Sequence, residues 1–422
     1  MDLKKAFAGW GFAPRTDSFD RAFLYLLTLS FILRIAWLDR PPGSLIFDEK
    51  YYVNVARIIL ERPHDLDVYP DAVLGVDPNH EHPPLAKLII AFSMLVFGDN
   101  AYGFRLPSVI AGTLSVFIFY LLMKKVSKSQ TLALISSFLF SFDNLIFVHS
   151  RIATLDIFML AFMLIGFYFY FAKRTFLSAA ALSLSTLSKI GGAYGFATIL
   201  VYHLLKRPSE SEVVKGGSEW RVKLEWLEKF GIAYVGFFMV LLTILDRIWG
   251  GYENPLEHLS FIYSYTLALS RPVLSGIESY PWQWLINEVK IPYLTVAESV
   301  YADHTLVSTY VSVAFAGAMN PFILFLTIPS IAYLAYLYGS KRDSFSLFIL
   351  AWFSCTYLPF YPMSIIGHRI SYIFYFLNTI PSVCAAATSL ILDQRPPKIL
   401  IGVYLVAVIV GFILLFPFKK IP

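Results

Sequence analysis

The fold is decided by LPSVIAGTLSVFIFYLLM at 106–123, KKVSKSQ at 124–130 and TLALISSFLFSFDNLIFVH at 131–149. Two apolar runs flank a short segment that carries three lysines. Each run has about the 20 residues that a helix needs to cross the hydrocarbon core of a bilayer. A short, lysine-rich connection is typical of a cytoplasmic loop between two membrane spans. The stretch therefore predicts a helical hairpin inserted in a membrane.

The composition extends this interpretation to the whole chain. Of its 422 residues, 57% are hydrophobic and only 15% are charged, whereas soluble domains carry about 25% charged residues. This excludes an ordinary soluble enzyme. We assign the net charge of +5 to basic cytoplasmic loops rather than to nucleic-acid binding. No repeat or low-complexity tract is apparent, so the sequence predicts one domain over 1–422.

Eleven apolar runs are predicted to span the membrane, and the fold class is all-α and polytopic. The run at 83–97 is left out because it is short and carries Lys87, which favours an interfacial or re-entrant helix. We expect the run that begins near Ala22 to be an uncleaved anchor. The predicted spans lie near 22–38, 106–123, 131–149, 154–172, 176–190, 191–205, 230–248, 318–338, 344–361, 370–391 and 398–417.

The basic residues predict the orientation of these spans. With 83–97 omitted, the lysines and arginines of the N-terminus and of the connections near 124–128, 173–174, 206–229, 341–342 and 395–398 all lie on one side. That side is the cytoplasm by the positive-inside rule. The prediction is therefore a cytoplasmic N-terminus, an extracytoplasmic C-terminus and two long outer loops, called here the first long loop (39–105) and the second long loop (249–317).

The first long loop begins with an acidic pair in IFDEKYY at 46–52. The polar residues that follow, up to Glu61, recur at helical spacing, which predicts an amphipathic helix on the membrane surface with Asp48 at its start. An aspartate at this position can cap the helix. It can also act as a general base that takes a proton from an acceptor hydroxyl, with Glu49 orienting that base or binding the acceptor. Both interpretations of Asp48 stay open.

Further along the loop, HPPLAK at 82–87 predicts a helix start with a lysine one turn in. A helix N-terminus and a lysine favour an anion such as phosphate. A lysine that extends its ammonium to the membrane surface explains Lys87 equally well. His80 and His82 are two residues apart, which is weak evidence for a metal, and we predict none. Arg105, at the outer mouth of the second span, either binds a carboxylate or phosphate or anchors the helix.

Three more segments with charged residues are predicted to reach the same outer face. SRIATLD at 150–156 joins two spans there, so Asp156 begins a membrane helix, where an ionisable residue is a candidate for function. A structural pair between Arg151 and Asp156 is the alternative. Lys189 and Arg369 each lie at an outer helix end, as binding residues or as anchors.

Carboxylates and cations at one interface suit an anionic lipid headgroup. A transporter would place its charges near the bilayer midplane and often shows internal repeats, so transport is the distant alternative. Trp282 and Trp284 fit either an interfacial aromatic belt, which we favour, or stacking on sugar or peptide. Cys355 and Cys384 lie inside apolar runs and are interpreted as packing residues.

Several linked segments resemble the protein O-mannosyltransferases. They are FDEKYYV at 47–53, HPPLAK at 82–87, FRLPS at 104–108 and SRIATLD at 150–156. The resemblance covers roughly the first 200 residues in order and spacing, and the plan of eleven spans fits the whole chain. It implies the GT-C membrane glycosyltransferase fold and inverting transfer of mannose from a polyprenyl or dolichyl phosphate to Ser or Thr of a protein acceptor.

The resemblance also implies roles for single residues. It makes Asp48 the base, Glu49 an acceptor-side helper and Arg105 an essential residue of the active site. Eukaryotic members carry a β-trefoil MIR domain in the late outer loop, and 249–317 is too short for one, so the chain resembles a prokaryotic member. Aminoarabinose and other lipid-sugar transferases share the fold, so transfer of another sugar to a lipid or glycan is the alternative function.

The resulting hypothesis is a single in-line displacement without a cofactor. Lys87, Arg369 and Lys189 hold the lipid phosphate, with His82, Arg105, Arg151 and Asp156 as further binding residues. Asp48 deprotonates the acceptor hydroxyl, and the cations stabilise the departing phosphate.

Overall fold

The computed structural model describes residues 18–41, 43–207, 218–270, 276–302 and 305–416. Its helices are α1 (Ser18–Ile35), α2 (Glu49–Ile59), α3 (Leu85–Phe97), α4 (Ala101–Ser127), α5 (Gln130–Ser141), α6 (Asn144–His149), α7 (Asp156–Phe171), α8 (Thr175–Ser188), α9 (Ala193–Leu205), α10 (Glu219–Leu245), α11 (Pro255–Ala268), α12 (Pro281–Trp284), α13 (Pro321–Phe325), α14 (Thr327–Lys341), α15 (Ser344–Tyr357), α16 (Phe360–Ile365), α17 (Ile380–Asp393) and α18 (Lys398–Leu415). Short 3-10 helices lie at Ile190–Gly192 and Ile373–Asn378, and a π-helix at Asp246–Gly250 follows α10.

Among the described residues, four helical segments are long and apolar enough to cross a membrane, and six shorter helices are apolar. The four are Ala101–Ser127, Glu219–Gly250, Ser344–Ile365 and Lys398–Leu415. Large apolar side chains such as Val403, Val406 and Leu414 are exposed on α18, as expected of a helix whose surface meets lipid tails. The chain is a multi-pass membrane protein.

Each of the eleven predicted spans coincides with helix, and several are interrupted. The run at 131–149 forms α5 and α6, and the run at 370–391 forms a 3-10 helix followed by α17. Asp143 causes the first interruption, since its carboxylate accepts hydrogen bonds from the amides of Leu145 and Ile146 and so caps α6. The predicted mostly helical architecture is confirmed.

One element departs from the all-α prediction. The second long loop carries an antiparallel hairpin of β1 (Ile291–Ala302) and β2 (Thr305–Gly317). The β-branched and aromatic residues of TYVSVAF at 309–315 are a strand signal, which a search for long apolar runs does not detect.

The helical core is centred on α7, which packs against α4 on one side and α8 on the other. Aromatic rings fill the junction with α15, where Trp352 lies edge-on to Phe167 at 4.9 Å and to Phe119 at 6.3 Å between ring centroids. On α17, three successive alanines, Ala385 to Ala387, are fully buried. Small residues let neighbouring helices approach closely in membranes.

Helix α2 differs from the predicted surface helix. Its residues Val53, Val55, Ala56 and Ile58 are fully buried, and it packs against α3. The predicted polar face forms hydrogen bonds within the protein. Asn54 accepts a hydrogen bond from the amide of Asp65 and donates one to the carbonyl of Lys50. The apolar face therefore meets protein rather than lipid. In contrast, α3 exposes Phe92, Leu95 and Phe97, in agreement with the interfacial helix predicted there.

Candidate active site

A cavity of about 1250 Å³ lies between the first long loop, the start of α7, the segment 189–194, α11 and the segment 360–378. Its wall contains both carboxylates and cations. The acidic, basic and histidine side chains that line it are Asp48, Lys50, Glu81, His82, Asp156, Lys189 and Arg369. The predicted convergence of Asp48, Asp156, Lys189 and Arg369 on one site is therefore seen in the structure.

The backbone turns sharply just before Asp48. Phe47 has a φ of +54°, in the left-handed region that is costly for a bulky residue. Its ring is held by Tyr293, stacked at 4.4 Å, and by Phe374, edge-on at 5.9 Å between centroids. Asp48 occupies the cap position of α2, but its side chain makes no capping hydrogen bond. Capping therefore does not account for this carboxylate, which faces the cavity.

The surroundings of Asp48 change its acidity. Burial raises the pKa of the carboxyl from 3.8 to about 7, against the charge of Lys189, which lowers it. The negative charge of Asp156 raises the pKa further. A carboxylate with a pKa near neutrality is a stronger base than an ordinary aspartate and is still largely ionised above that pH.

Glu49, the neighbour of Asp48, points the other way. It is fully buried and forms a two-pronged ion pair with Arg105, whose Nε and Nη2 lie 2.8 and 2.7 Å from its two oxygens. It also accepts hydrogen bonds from the amides of Ile46 and Ala153. Its oxygens are thus occupied by protein donors, and it does not line the cavity. The structure places it as a support for Asp48 rather than at the acceptor.

Arg105 uses the rest of its guanidinium to hold the chain before Asp48. It donates to the carbonyls of Leu38, Arg40 and Ser44 at 2.8 to 3.1 Å. Arg105 is buried away from the cavity and cannot contact a substrate there without breaking this set of bonds. It ties the end of α1 and the start of α2 to α4.

Asp156 begins α7 and is paired with Lys189, whose Nζ lies 2.8 Å from Oδ1. This replaces the alternative pair with Arg151. The ammonium of Lys189 also lies over the rings of Phe374 and Tyr375, at 4.9 and 5.7 Å from their centroids. Both residues are almost fully buried and line the cavity. The ammonium of Lys189 can therefore meet a ligand there, but the carboxylate of Asp156 offsets its charge.

Arg369 and His82 complete the polar wall. No side-chain hydrogen bond or ion pair joins Arg369 to another of the described residues, and the residue is half-buried in the cavity wall. His82 has a buried Nδ1 without a partner among the described residues. Burial, with the charges of Lys189, Lys87 and Arg369, lowers the pKa of His82 well below 6.5, so this ring is neutral at physiological pH.

Two further candidate residues, besides Glu49 and Arg105, lie outside the cavity. Lys87 is fully buried, and its ammonium contacts Asp77 at 2.5 Å and the carbonyls of Asn79 and His82 at 2.5 and 2.9 Å. All three of its protons are therefore used to hold the segment 77–82. Arg151 donates to carbonyls at the C-terminal end of α1, including those of Leu33 and Ala36, both at 2.6 Å. Both cations fix the scaffold of the site.

Sequence reasoning missed much of the wall. Eight tyrosines line the cavity: Tyr51, Tyr52, Tyr69, Tyr194, Tyr263, Tyr265, Tyr372 and Tyr375. They come from distant segments, so no local pattern indicates them. Trp284 is fully buried and donates to Ser279, which fits neither the predicted aromatic belt nor stacking on a ligand, whereas Trp282 is 42% exposed. Among the described residues, no group of three His, Cys, Asp or Glu side chains is arranged to hold a metal ion.

Comparison with known sequences supports the family resemblance. Residues 81–216 match the family model described as dolichyl-phosphate-mannose-protein mannosyltransferase. The polyprenol-phosphate-mannose–protein mannosyltransferase of Mycolicibacterium smegmatis is 31% identical over 161 residues, which cover 36% of this chain and 30% of that protein. The dolichyl-phosphate-mannose–protein mannosyltransferase 4 of Candida albicans is 28% identical over 42% of this chain and 27% of that protein. The matches thus span about a third or less of these relatives.

Comparison with solved structures covers nearly the whole chain. The S. cerevisiae protein O-mannosyltransferase complex bound to the sugar donor superposes with a TM-score of 0.66 at 12% identity, over 97% of this chain and 91% of that chain. ArnT from Cupriavidus metallidurans bound to undecaprenyl phosphate gives a TM-score of 0.55 at 15% identity, over 91% and 61% of the two chains. At such low identity these likenesses establish the fold. The chain has the GT-C glycosyltransferase fold, and its segment 81–216 is related to the dolichyl-phosphate-mannose–protein mannosyltransferases.

Proposed function

We propose that the protein transfers mannose, with inversion, from a polyprenyl or dolichyl phosphate to Ser or Thr hydroxyls of proteins on the extracytoplasmic face of the membrane. The observation that carries this proposal is Asp48, a carboxylate without a capping bond that shares one cavity with Lys189 and Arg369. The related segment 81–216 supports the choice of sugar and acceptor.

In the proposed step, Asp48 takes the proton of the acceptor hydroxyl. The oxygen attacks the anomeric carbon and forms the new glycosidic bond, while the bond from that carbon to the phosphate oxygen breaks on the opposite side. The lipid phosphate leaves with one more negative charge, which the guanidinium of Arg369 and the ammonium of Lys189 stabilise. An anionic leaving group needs no general acid, so a single catalytic carboxylate is sufficient, unlike the two used in glycoside hydrolysis.

Lys87 and Arg105 have supporting roles in this proposal. Both are buried outside the cavity with their donors occupied by protein acceptors. We therefore leave Lys87 out of the proposed phosphate site and assign the phosphate to Arg369 and Lys189. Arg105, through Glu49, keeps the segment that carries Asp48 in place.

The direct test of substrate and reaction uses the purified protein, polyprenyl-phosphate-mannose and a Ser/Thr-containing peptide. We expect mass spectrometry to detect the addition of one hexose, and NMR of the product to show an inverted anomeric centre. A peptide with alanine in place of every Ser and Thr is the control. Transfer only from a donor with another sugar, or only to a lipid or glycan, would refute the proposal and favour the alternative transferase.

A further inference from the structure

The segment 77–82 forms part of the cavity wall without regular secondary structure. Pro78, Asn79, Glu81 and His82 line the cavity. A backbone without helix or strand hydrogen bonds must be fixed by other contacts if its side chains are to keep their place. Lys87 supplies such contacts on one side, through the carbonyls of Asn79 and His82.

The start of the second long loop also holds this segment through hydrogen bonds. The amide of Asp77 donates to the carbonyl of Trp249 at 2.7 Å. The Nε2 of His258 lies 2.9 Å from the carbonyl oxygen of His80. The hydroxyl of Tyr252 lies 3.2 Å from Nδ1 of His80, and the Tyr252 ring stacks on that of His258 at 4.6 Å.

The ring of His258 is itself held in one orientation. Its Nδ1 lies 2.8 Å from Oδ1 of Asp246, and both side chains are buried. Asp246 is the first residue of the π-helix Asp246–Gly250. A side chain at position 250 would not fit, because a Cβ there would lie 2.7 Å from Oδ1 of Asp246. A π-helical turn in a helix often marks a functional position.

Both ring nitrogens of His258 face hydrogen-bond acceptors. The carbonyl of His80 can only accept a hydrogen bond, so Nε2 of His258 carries a proton and donates to it. A second proton lies between Nδ1 of His258 and the carboxylate of Asp246. Asp246 on the opposite nitrogen prevents the ring from rotating. An aspartate that orients a histidine in this way is a known device of catalytic sites. Here the histidine forms a hydrogen bond with a backbone carbonyl of the cavity wall instead of with a reacting group.

We infer that His258, oriented by Asp246, is a positioning residue of the active site that fixes Glu81 and His82 through the His80 carbonyl. This inference rests on the proposed mannosyl transfer. His258 lies outside the match at 81–216 and is not part of any pattern identified in the sequence. It links the second long loop to the cavity wall that the first long loop provides.

The test compares two amide substitutions of the full-length protein. In His258→Gln the side-chain amide reaches the place of Nε2 and can still donate to the His80 carbonyl. In His258→Asn the amide lies near the place of Nδ1 and cannot. Both variants lose the imidazole, so their difference isolates the bond to the cavity wall. Thermal unfolding and size-exclusion chromatography check that both fold.

We expect His258→Gln to retain kcat/KM for hexose transfer within about threefold, and His258→Asn to lose on the order of 10-fold or more, since small displacements of substrate-positioning groups are costly. Equal activity of the two variants, whether both active or both impaired, would overturn the inference. If the wild type transfers no hexose, the proposed function fails and the inference falls with it.

A second pair of variants, at Asp246, tests the same contact. This pair provides the test of the inference if His258→Asn does not fold. Asp246→Asn can still hydrogen-bond Nδ1 of His258 and should keep most of the activity. Asp246→Ala frees the ring to rotate and should lose it on the same order as His258→Asn. Equal activity of these two variants would contradict the orienting role of Asp246.

Discussion

At the scale of single residues, Asp48 owes its properties to the backbone before it and to the cavity in front of it. Phe47 has a left-handed backbone conformation, and its ring is held by contacts with other residues. Asp48, which follows it, does not make the side-chain hydrogen bond that a helix-capping residue usually makes. The sequence predicts the acid at this helix start, but it leaves capping and catalysis as alternatives. The ring contacts of Phe47, the residue before it, come from Tyr293 and Phe374, which are far away in the chain, and catalysis by Asp48 stays a proposal.

The acidity of Asp48 predicts how activity depends on pH. Its pKa is raised to about 7, and only the ionised form can accept a proton. The transfer rate should therefore rise by about tenfold per pH unit below that value and level off above it. Rate measurements from pH 5 to 9 at saturating donor check this. A rate that is flat over this range would contradict Asp48 as the base.

The same shift predicts an effect on stability. Because the folded-state pKa lies above the ordinary value of 3.8, stability from this group is fully present below 3.8 and is lost as the pH rises through about 7. Asp48→Asn replaces the ionisable carboxyl with a neutral amide and so removes this loss of stability at high pH. We expect the variant to unfold a few degrees higher than the wild type at pH 8 and at about the same temperature at pH 4. A lower unfolding temperature for the variant at pH 8 would contradict burial as the cause of the shift.

At the scale of elements, the site depends on how the start of α2 is fixed to α4. The Glu49–Arg105 pair and the carbonyls of 38–44 form one buried network. The sequence marks both residues as important through family resemblance, but it cannot show that they bind each other. They are 56 positions apart, and only the packing of α2 through α3 against α4 brings them together.

This network predicts that Arg105→Lys is not a conservative change. Lysine keeps the charge but has one ammonium in place of a planar fork, so it cannot satisfy both oxygens of Glu49 and three carbonyls. We expect a loss of about 2 kcal/mol or more in unfolding free energy, since hydrogen bonds to charged groups contribute about 1.5–3 kcal/mol each. Transfer activity should fall as well, because the segment carrying Asp48 is loosened.

Arg57→Lys is the matched control, measured by thermal unfolding beside Arg105→Lys. Arg57 also forms a two-pronged pair, with Asp99, but both side chains are about a quarter exposed. An exposed pair contributes roughly 0–1 kcal/mol, so the control should unfold near the wild type. Equal effects of the two substitutions would show that burial of the Glu49–Arg105 pair has no special importance.

At the scale of the whole molecule, the apolar runs were sufficient to predict where helices lie, since each of the eleven predicted spans coincides with helix. The strands β1 and β2 and the interruptions within spans are not predicted, because capping by Asp143 and enrichment in β-branched residues are local signals that length and hydrophobicity do not record. The cavity was predicted only as a set of charges at one face. Its tyrosines and the Asp246–His258 pair required the tertiary arrangement.

The proposed orientation is tested by cysteine labelling in a Cys355→Ala, Cys384→Ala background. Asp71 and Lys173 are both exposed, and the positive-inside rule places them on opposite sides of the membrane. In intact cells a membrane-impermeant maleimide should label Asp71→Cys at once and Lys173→Cys only after permeabilisation. The reverse pattern, or labelling of both in intact cells, would contradict the proposed topology.

The measurement that tests the central claim most directly compares hexose transfer by the wild type and Asp48→Asn, using polyprenyl-phosphate-mannose and a Ser/Thr-containing peptide. The asparagine is nearly the same size and cannot accept the proton, so we predict a loss of order 10²-fold or more in rate with the fold retained. Equal rates would contradict the assignment of Asp48 as the base. Because Glu49 is enclosed in its pair with Arg105, that result would leave Asp156 and Glu81 as the other acids that line the cavity.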